Sequence, residues 1–418
     1  MFKIRSFSIG GLWHRHDVHA DFNDEVNVVI GRNGTGKTTF MNILRGVLSV
    51  DIDALLENQF DSATIMLMDQ NGKKKTIKAV KLEHPSRPFA YVEYKISTRK
   101  FTVMLVPVEE RRSGYARRKA YEEASEVRES LRDLLALASL SVYRIRNETE
   151  FDPRERSHAM RLLTPVDYRL TELTQQLTHY QLELSQQAQE ISIELQKQVL
   201  ASLLYEKSSS QTRKLRLEFN AAEERRNLQV AYGHLGVTGT SIVKRINEHV
   251  AAIESTVNEV SKNGHTVNFA PLEARSRTDQ VVRLSLDASK RTQDLYSQIN
   301  LFLELIGSFI SDKKFSITTG DLVVEASGEP LPIEKLSSGE KQLLILLIEA
   351  VLQRQQPFVF LADEPELSLH IAWQRKIVPA VKRMNPNAQI IVATHSPEIA
   401  GRYQDSLTDM EDMIDGRN

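Results

Sequence analysis

Val26-Asn27-Val28-Val29-Ile30-Gly31-Arg32-Asn33-Gly34-Thr35-Gly36-Lys37-Thr38-Thr39 is the stretch that decides how this chain is read. Residues 26–30 are a short, β-branched, apolar run of the kind that forms a buried strand. The run passes directly into G-x-x-x-x-G-K-T, and Phe40, Ile43, Leu44 and Val47 then recur at helical spacing. A glycine-rich loop between a strand and a helix is the setting that separates a phosphate-binding loop from a chance match. The glycines let backbone N–H groups turn inward at the helix N-terminus, where they cradle phosphate oxygens. In this arrangement Asn33, Gly34, Thr35, Gly36 and Thr39 surround the phosphates. Lys37 neutralises the β- and γ-phosphates, and the Thr38 hydroxyl ligates Mg²⁺. The ligand implied is ATP with Mg²⁺.

Composition narrows the setting. The chain has 418 residues, enough for two or three compact units. Its 54 basic and 55 acidic residues leave a formal net charge of −1, so any nucleic-acid surface has to be a local patch. The absence of cysteine excludes disulfides, a thiolate zinc hook and thiol catalysis, and it fits a reducing cytoplasm. No apolar run approaches the ~20 residues of a membrane span, and the opening MFKIRSFSIGG lacks a signal-peptide core, so a cytoplasmic protein is expected.

The pattern along the chain is α/β at both ends and helical between. FKIRSFSI reads as an edge strand. ATIMLMDQNGKKKTIKAVKLE and FAYVEYKISTRKFTVMLV read as hairpins, the first with a type I′ turn at Asn71-Gly72. From about Tyr115 to Ile310 the chain is low in Gly and Pro and rich in Glu, Gln, Leu and Arg. Thr164-Pro165-Val166-Asp167 is a helix start, with Thr as N-cap and Pro in the first position. Leu170, Leu173, Leu177, Tyr180, Leu184 and Ile191 trace a heptad-like seam, with Gln175, Gln176, Gln181, Gln186 and Gln189 assigned to outer positions. Helix to about Tyr232 would make an arm on the order of 100 Å long. Gly233, Gly236 and Gly239 then break it, and return helices are expected over Ser241–Lys262 and Thr278–Ile310. After Phe315, FSITTGDLVVEASGEPLPI reads as a hairpin, Gln342–Arg354 as an apolar helix, and 358–362 and 389–393 as buried parallel strands. The expected organisation is an ATPase head built from lobes 1–114 and 313–418, with a helical or coiled-coil insertion over 115–312.

Two further motifs follow strands. Phe358-Val359-Phe360-Leu361-Ala362-Asp363-Glu364 is an apolar strand ending in two acids. Asp363 is placed to hold Mg²⁺ through water, and Glu364 to orient and deprotonate an attacking water. Thr394-His395-Ser396 ends the next strand, where the His395 imidazole can hydrogen-bond a γ-phosphate and sense its loss.

The ordered set GRNGTGKT, LSSGEKQ (336–342), FVFLADEP, ELSLH (366–370) and THS resembles the ABC-type ATPase superfamily, and within it the SMC/RecF/OLD branch. That resemblance implies that Ser337, Ser338, Gly339 and Glu340 form a signature meeting the ATP held by a second copy. Ser368 to His370 would line the interface, in a homodimer or higher homo-oligomer of paired heads. The signature departs from the usual pattern at Ser338, which replaces a second glycine but keeps an N–H to donate. For the lobe-connecting segment that senses the γ-phosphate, 105–112 is the better candidate, ahead of Gln59 and Gln70. Trp13, His14 and Phe22 lie where an adenine-stacking group could precede the loop strand, although Phe22 suits the core.

Only 23 residues follow His395, too few for the nuclease module of OLD-like proteins. The chain therefore resembles the stand-alone ATPases of anti-phage systems of the PARIS and Septu types. In those families a separate TOPRIM-like or HNH nuclease is the effector, and DNA or a phage protein would be the trigger. The alternative is an SMC- or RecF-like DNA-repair clamp. It would use Arg111, Arg112, Arg117, Arg118, Lys119, Arg144, Arg146, Arg154, Arg156 and Arg161 on a phosphate backbone, but Glu122, Glu123, Glu148, Glu150 and Glu155 interleave with them. A transport ATPase is disfavoured by the long insertion between the phosphate loop and the signature.

Overall fold

The computed structural model describes residues 2–415 apart from 70, 84–88, 108–113, 133, 136, 142–163, 203–218, 235–236, 238, 262–267, 269 and 368. The chain divides into two compact units, 1–178 with 301–418, and 179–300. Both divisions fall inside long helices, so the stretch expected to be one helical insertion is shared between the units.

The first unit holds three sheets. Five strands form a parallel sheet in the order β14 (Leu407–Asp409), β3 (Val26–Ile30), β13 (Gln389–Ala393), β12 (Val359–Asp363) and β8 (Leu137–Ser141). Seven strands form an antiparallel sheet: β15 (Ile414–Asp415), β2 (His16–Asp21), β1 (Lys3–Leu12), β4 (Ser62–Met68), β5 (Lys74–Leu82), β6 (Tyr91–Ile96) and β7 (Arg99–Met104). The third is β11 (Glu329–Pro330), β10 (Asp321–Ala326) and β9 (Lys313–Thr318). Strand pairing interleaves the two ends of the chain, because β3 lies between β14 and β13 and β2 pairs with β15. The fold class is α/β, with a head assembled from N- and C-terminal segments.

Helix α1 (Lys37–Ser49) touches β12, β13 and β8 on the parallel sheet and β4 on the antiparallel one. Its buried Phe40 packs on Phe7 of β1, ring centroids 5.0 Å apart, in a core that also takes in Leu361 and Ile391. Each such large apolar side chain contributes about 1.5–3 kcal/mol by burial. Gln389 stitches the sheets together: its buried amide accepts from Ile4 N and donates to the carbonyls of Ile4 and Asn23, at 2.8, 2.7 and 2.8 Å. Short α2 (Ile52–Glu57) follows α1, and α3 (Gly114–Arg132) packs on β7 and α1. Helix α8 (Ser338–Leu352) packs on α9 (Ile371–Met384), and one-turn α10 (Pro397–Ala400) contacts α9.

Helix α4 (Pro165–Ser202) starts where expected, with the Thr164 hydroxyl accepting from Asp167 N at 3.2 Å. Its first turns meet α8 through ion pairs, Lys341 with Asp167 at 2.6 Å and Arg169 with Glu349 at 2.7 Å. The second unit is helical. There α5 (Ala221–His234), α6 (Thr240–Ser261) and α7 (Ala270–Phe309, entering from the second unit and ending in the first) enclose Leu228, Ala231, Ile246, Val250 and Val282.

Five expectations need correction. FKIRSFSI falls in β1, which lies inside its sheet between β2 and β4 rather than at an edge. Strand β8 falls where helix was expected: Leu-Ala-Ser-Leu-Ser has no β-branched residue and is specified by pairing with β12. Gln181 is buried, 6% exposed, because it stands four residues after Leu177 and three before Leu184, both buried, while Leu182 is exposed. The β4–β5 hairpin forms, but Asn71 has no positive φ and the Asp69–Lys73 pair encloses three residues, so the turn is not type I′. The Asp69 carboxylate instead accepts from Asn71 N and Lys73 N. Type I′ geometry is found at Thr319-Gly320, with φ of 52° and 94°. Finally, the helix does not run unbroken to Tyr232: Phe219 and Asn220 are non-helical, and the Asn220 side chain caps the start of α5 by accepting from Ala222 N and Glu223 N. The arm between Ser202 and Phe219 lies outside the described residues.

Candidate functional site

The site grows from one edge of the parallel sheet. Strands β3, β12 and β13 run the same way, and register places Ile30, Asp363 and Ala393 at their C-terminal ends. Loops leaving that edge of a parallel sheet form the usual ligand crevice. Here they are the phosphate loop, the Asp363-Glu364 turn and the Thr394–Ser396 strap. They come together around a cavity of 630 Å³ lined by Trp13, Asn33, Gly34, Gly36, Lys37, Thr38, Thr39, Glu364 and His395.

Gly36 is the N-cap of α1, with φ 99° and no side-chain cap, so the amides of the first turn keep their donor capacity for a ligand. A Cβ at Gly36 would stand 2.7 Å from the Trp13 indole, and only glycine fits that contact at that φ. Lys37 is 4% exposed, and its Nζ donates to the carbonyls of Gly31 and Arg32 at 2.8 and 3.0 Å. Burial lowers its pKa, opposed by the negative charges of Glu364, Asp363 and Asp409. The ammonium is thus parked on the loop's own carbonyls, within the field of three acids.

The Thr38 hydroxyl stands 3.5 Å from Asp363 Oδ1. Burial pushes the Asp363 carboxyl up to about 6; Thr38 opposes this, while Glu364 and Glu366 add to it. A hydroxyl and an electron-rich carboxylate side by side fit Mg²⁺, which takes one or two protein oxygens and completes its shell with water and phosphate. Among the described residues no group of three or more His, Cys, Asp or Glu forms an all-protein metal cage.

Glu364 has a positive φ of 48°, a sparsely populated conformation for a residue with a side chain. Its N–H donates to Ala393 O at 2.8 Å, and its Oε1 lies 3.5 Å from His395 Nε2. The acid and the imidazole are therefore in contact with one another on the cavity wall.

The signature residues are elsewhere. Ser337 and Ser338 are exposed, Gly339 and Glu340 are buried, and none of the four lines the cavity. Ser337 caps α8 in a full capping box: its Oγ accepts from Glu340 N, and Glu340 Oε2 accepts from Ser337 N (2.8 Å) and Oγ (2.9 Å). Lys313 Nζ holds the other oxygen of Glu340 at 2.7 Å. His370 caps α9 through Nδ1, Leu369 is buried, Ile371 beside them is 60% exposed, and Ser368 lies outside the described residues.

Of the remaining candidates, Gln59 is exposed and offers its carbonyl to Trp13 N at 3.0 Å, Phe22 is core, and His14 is exposed beside Asp61. Gln70 and residues 108–112 lie outside the described residues, as do Arg144, Arg146, Arg154, Arg156 and Arg161. Arg118 and Lys119 face Glu122 and Glu123 one turn on, at 2.9 and 4.0 Å. Sequence reasoning missed two acids. Asp409 belongs to no motif, but β14 sets its Oδ1 3.3 Å from where a Gly31 Cβ would be. Glu366, within the quoted ELSLH motif, accepts hydrogen bonds from all three residues of the Thr394–Ser396 strap.

Residues 3–400 match the family model AAA_15, described as AAA ATPase domain, and the chain belongs to that family. Among curated proteins it is similar to a retron Ec83 probable ATPase of Escherichia coli, 28% identical over 152 residues, covering 33% of this chain and 28% of that protein. A retron Vc95 probable ATPase of Vibrio cholerae is 35% identical over 119 residues, 25% of this chain and 23% of that one. The Septu protein PtuA of Bacillus thuringiensis is 31% identical over 94 residues, 19% and 24% of the two chains. The chain thus spans about a quarter of the length of these relatives. Among solved structures, the Smc head domain with an extended coiled coil from Pyrococcus furiosus aligns over 96% of this chain and 92% of that one. Its TM-score is 0.42 at 14% identity, a likeness too loose to define the fold. Among the described residues no helix is long and apolar enough to cross a membrane.

Proposed function

We propose that the chain binds and hydrolyses ATP at a site completed by a second copy, and that this cycle switches a separate nuclease in an anti-phage system. One observation carries the reading: the phosphate loop, Thr38, Asp363, Glu364 and His395 converge on one sheet edge, while Ser337–Glu340 do not line the cavity they form. A γ-phosphate held there has a base and an imidazole at hand but lacks the signature, which a second head would supply.

In this reading Lys37 leaves the carbonyls of Gly31 and Arg32 for the β- and γ-phosphates, and the first-turn amides of α1 hold the phosphate oxygens. Thr38 and, through water, Asp363 would hold Mg²⁺, which would neutralise charge on the phosphates. Glu364 takes the proton of the attacking water, and His395 contacts the γ-phosphate opposite it. Relatedness to retron ATPases and to a Septu protein supports a place in defence systems. The nuclease that the chain switches is TOPRIM-like or HNH.

Glu364→Gln tests it. The variant should bind ATP, lose roughly 100- to 1,000-fold in turnover with its general base, and double in mass on saturation with ATP. An unchanged monomer mass under saturating ATP would sink the composite site. Coexpression with the neighbouring gene and the mass of the copurified complex test the partner.

A further inference from the structure

Glu366 stands two residues beyond Glu364, in the turn after β12, and no step above uses it. The residue is 8% exposed. Its Oε1 collects three donors: the Thr394 hydroxyl, His395 N at 3.0 Å and Ser396 N at 3.1 Å. Those consecutive residues carry the imidazole off the end of β13. Its other oxygen, Oε2, is buried without a hydrogen-bond partner among the described residues.

A buried carboxylate left half-satisfied is costly, and a neutral acceptor would join two strand ends at less expense. What a carboxylate adds is strength, since hydrogen bonds to an ionised acceptor are about twice as strong as neutral ones. Three of them converging on one atom fix the strap in place. The turn is braced from two other helices as well. Gln342 Nε2 of α8 donates to Pro365 O at 3.3 Å, and Gln374 Nε2 of α9 donates to Leu369 O at 3.2 Å. The Ser396 hydroxyl closes the circuit by donating to Gln374 Oε1 at 2.7 Å.

We propose that Glu366 is a positioning residue for hydrolysis: it locks the Thr394–Ser396 strap to the turn bearing Glu364, so that His395 and Glu364 keep their 3.5 Å approach. This rests on the reading of Glu364 and His395 as the hydrolytic pair. Glu366 does not line the cavity. Its loss should slow turnover and leave ATP affinity, which belongs to the phosphate loop, nearly untouched.

The test uses the full chain, with steady-state ATP hydrolysis, nucleotide binding and amide hydrogen exchange measured together. Glu366→Ala should lower kcat by at least about 10-fold, since small misplacements of reacting groups cost up to about 100-fold, with KM for ATP within about 3-fold. Glu366→Gln keeps an oxygen where Oε1 stands but makes only neutral hydrogen bonds, and should recover part of that loss. It also covers the case in which the alanine variant does not fold. His395→Ala and the double variant Glu366→Ala/His395→Ala should be equally slow, because a residue acting through His395 has nothing left to position. The His395 and Ser396 amides should exchange faster in Glu366→Ala, with or without turnover. Additive losses in the double variant, or a KM that rises as far as kcat falls, would overturn the positioning role while leaving ATP hydrolysis standing. A wild-type chain that binds ATP without turning it over would remove the hydrolytic reading, and the role of Glu366 with it.

Discussion

Helices α1 and α8 both begin at residues proposed to meet ATP, that of its own chain for α1 and that of a second copy for α8, and their N-termini are finished in opposite ways. The start of α1 is open, capped by Gly36 with no side-chain hydrogen bond and with Lys37 resting on the loop's carbonyls. The start of α8 is closed, with the hydroxyl and N–H of Ser337 engaged by Glu340, which Lys313 holds in turn. An open terminus has donors to give and no shape of its own to defend. A closed one holds its shape in the absence of any ligand, and a phosphate reaching it must compete with Glu340 for the Ser337 hydroxyl. The contrast suits a site whose first half captures nucleotide and whose second half arrives already formed on another copy.

The sharpest way to break that contrast is to disable the open end. Lys37→Ala should weaken ATP binding on the order of 1,000-fold, because hydrogen bonds from a charged group contribute about 1.5–3 kcal/mol each; isothermal titration measures it. Normal ATP affinity in this variant would mean that the loop is not the phosphate site.

Next in size is the closed end. Ser337→Arg should leave ATP affinity within about 3-fold and cut turnover roughly 100-fold, since a bulky cation at the cap obstructs a γ-phosphate donor position. Mixing it with Lys37→Ala is more telling than either alone. A mixed pair carries both lesions in one composite site and none in the other, so equal mixing should restore about a quarter of the wild-type sites from two inactive parents. No recovery, with mixed pairs shown by mass, would place both functions on one chain.

How legible this was in the sequence depends on how local the cause is. The phosphate loop, the two-acid strand end and the helix start at Thr164 are dictated by neighbouring residues, and each is where its pattern put it. Strand β8 is not: Leu137–Ser141 lacks strand propensity and owes its conformation to β12, over 200 residues away in sequence. Asp409 carries no local sign of its place beside Gly31, which follows from β14 adding to the sheet next to β3. Glu366 was quoted within a motif, yet its partners at 394–396 meet it only when β12 and β13 pair. The capping box was readable, as Ser-x-x-Glu at 337–340. Its anchor Lys313 was not, since nothing near Lys313 names Glu340.

That anchor offers the smallest test, and it bears on what keeps the closed end closed. Burial pushes the Glu340 carboxyl up, but the hydrogen bonds from Lys313 and from Ser337, with the Lys313 charge, overcome it and hold the group below its ordinary value of 4.5. A carboxyl held lower in the folded state than in the unfolded one lends stability that is present above about pH 4.5 and fades as pH falls through the folded value. Glu340→Gln keeps an acceptor for Ser337, as capping boxes accept Glu or Gln, but gives up the ion pair with Lys313. It should cost about 1 kcal/mol at neutral pH, the size of one such hydrogen bond. The gap from wild type should narrow as pH drops below the ordinary carboxylate range, as denaturant titrations at pH 7 and pH 3 would show. A gap that stayed constant with pH would mean that Lys313 does not secure the cap. The closed state of Ser337 would then rest on the box alone, which a γ-phosphate could open with little opposition.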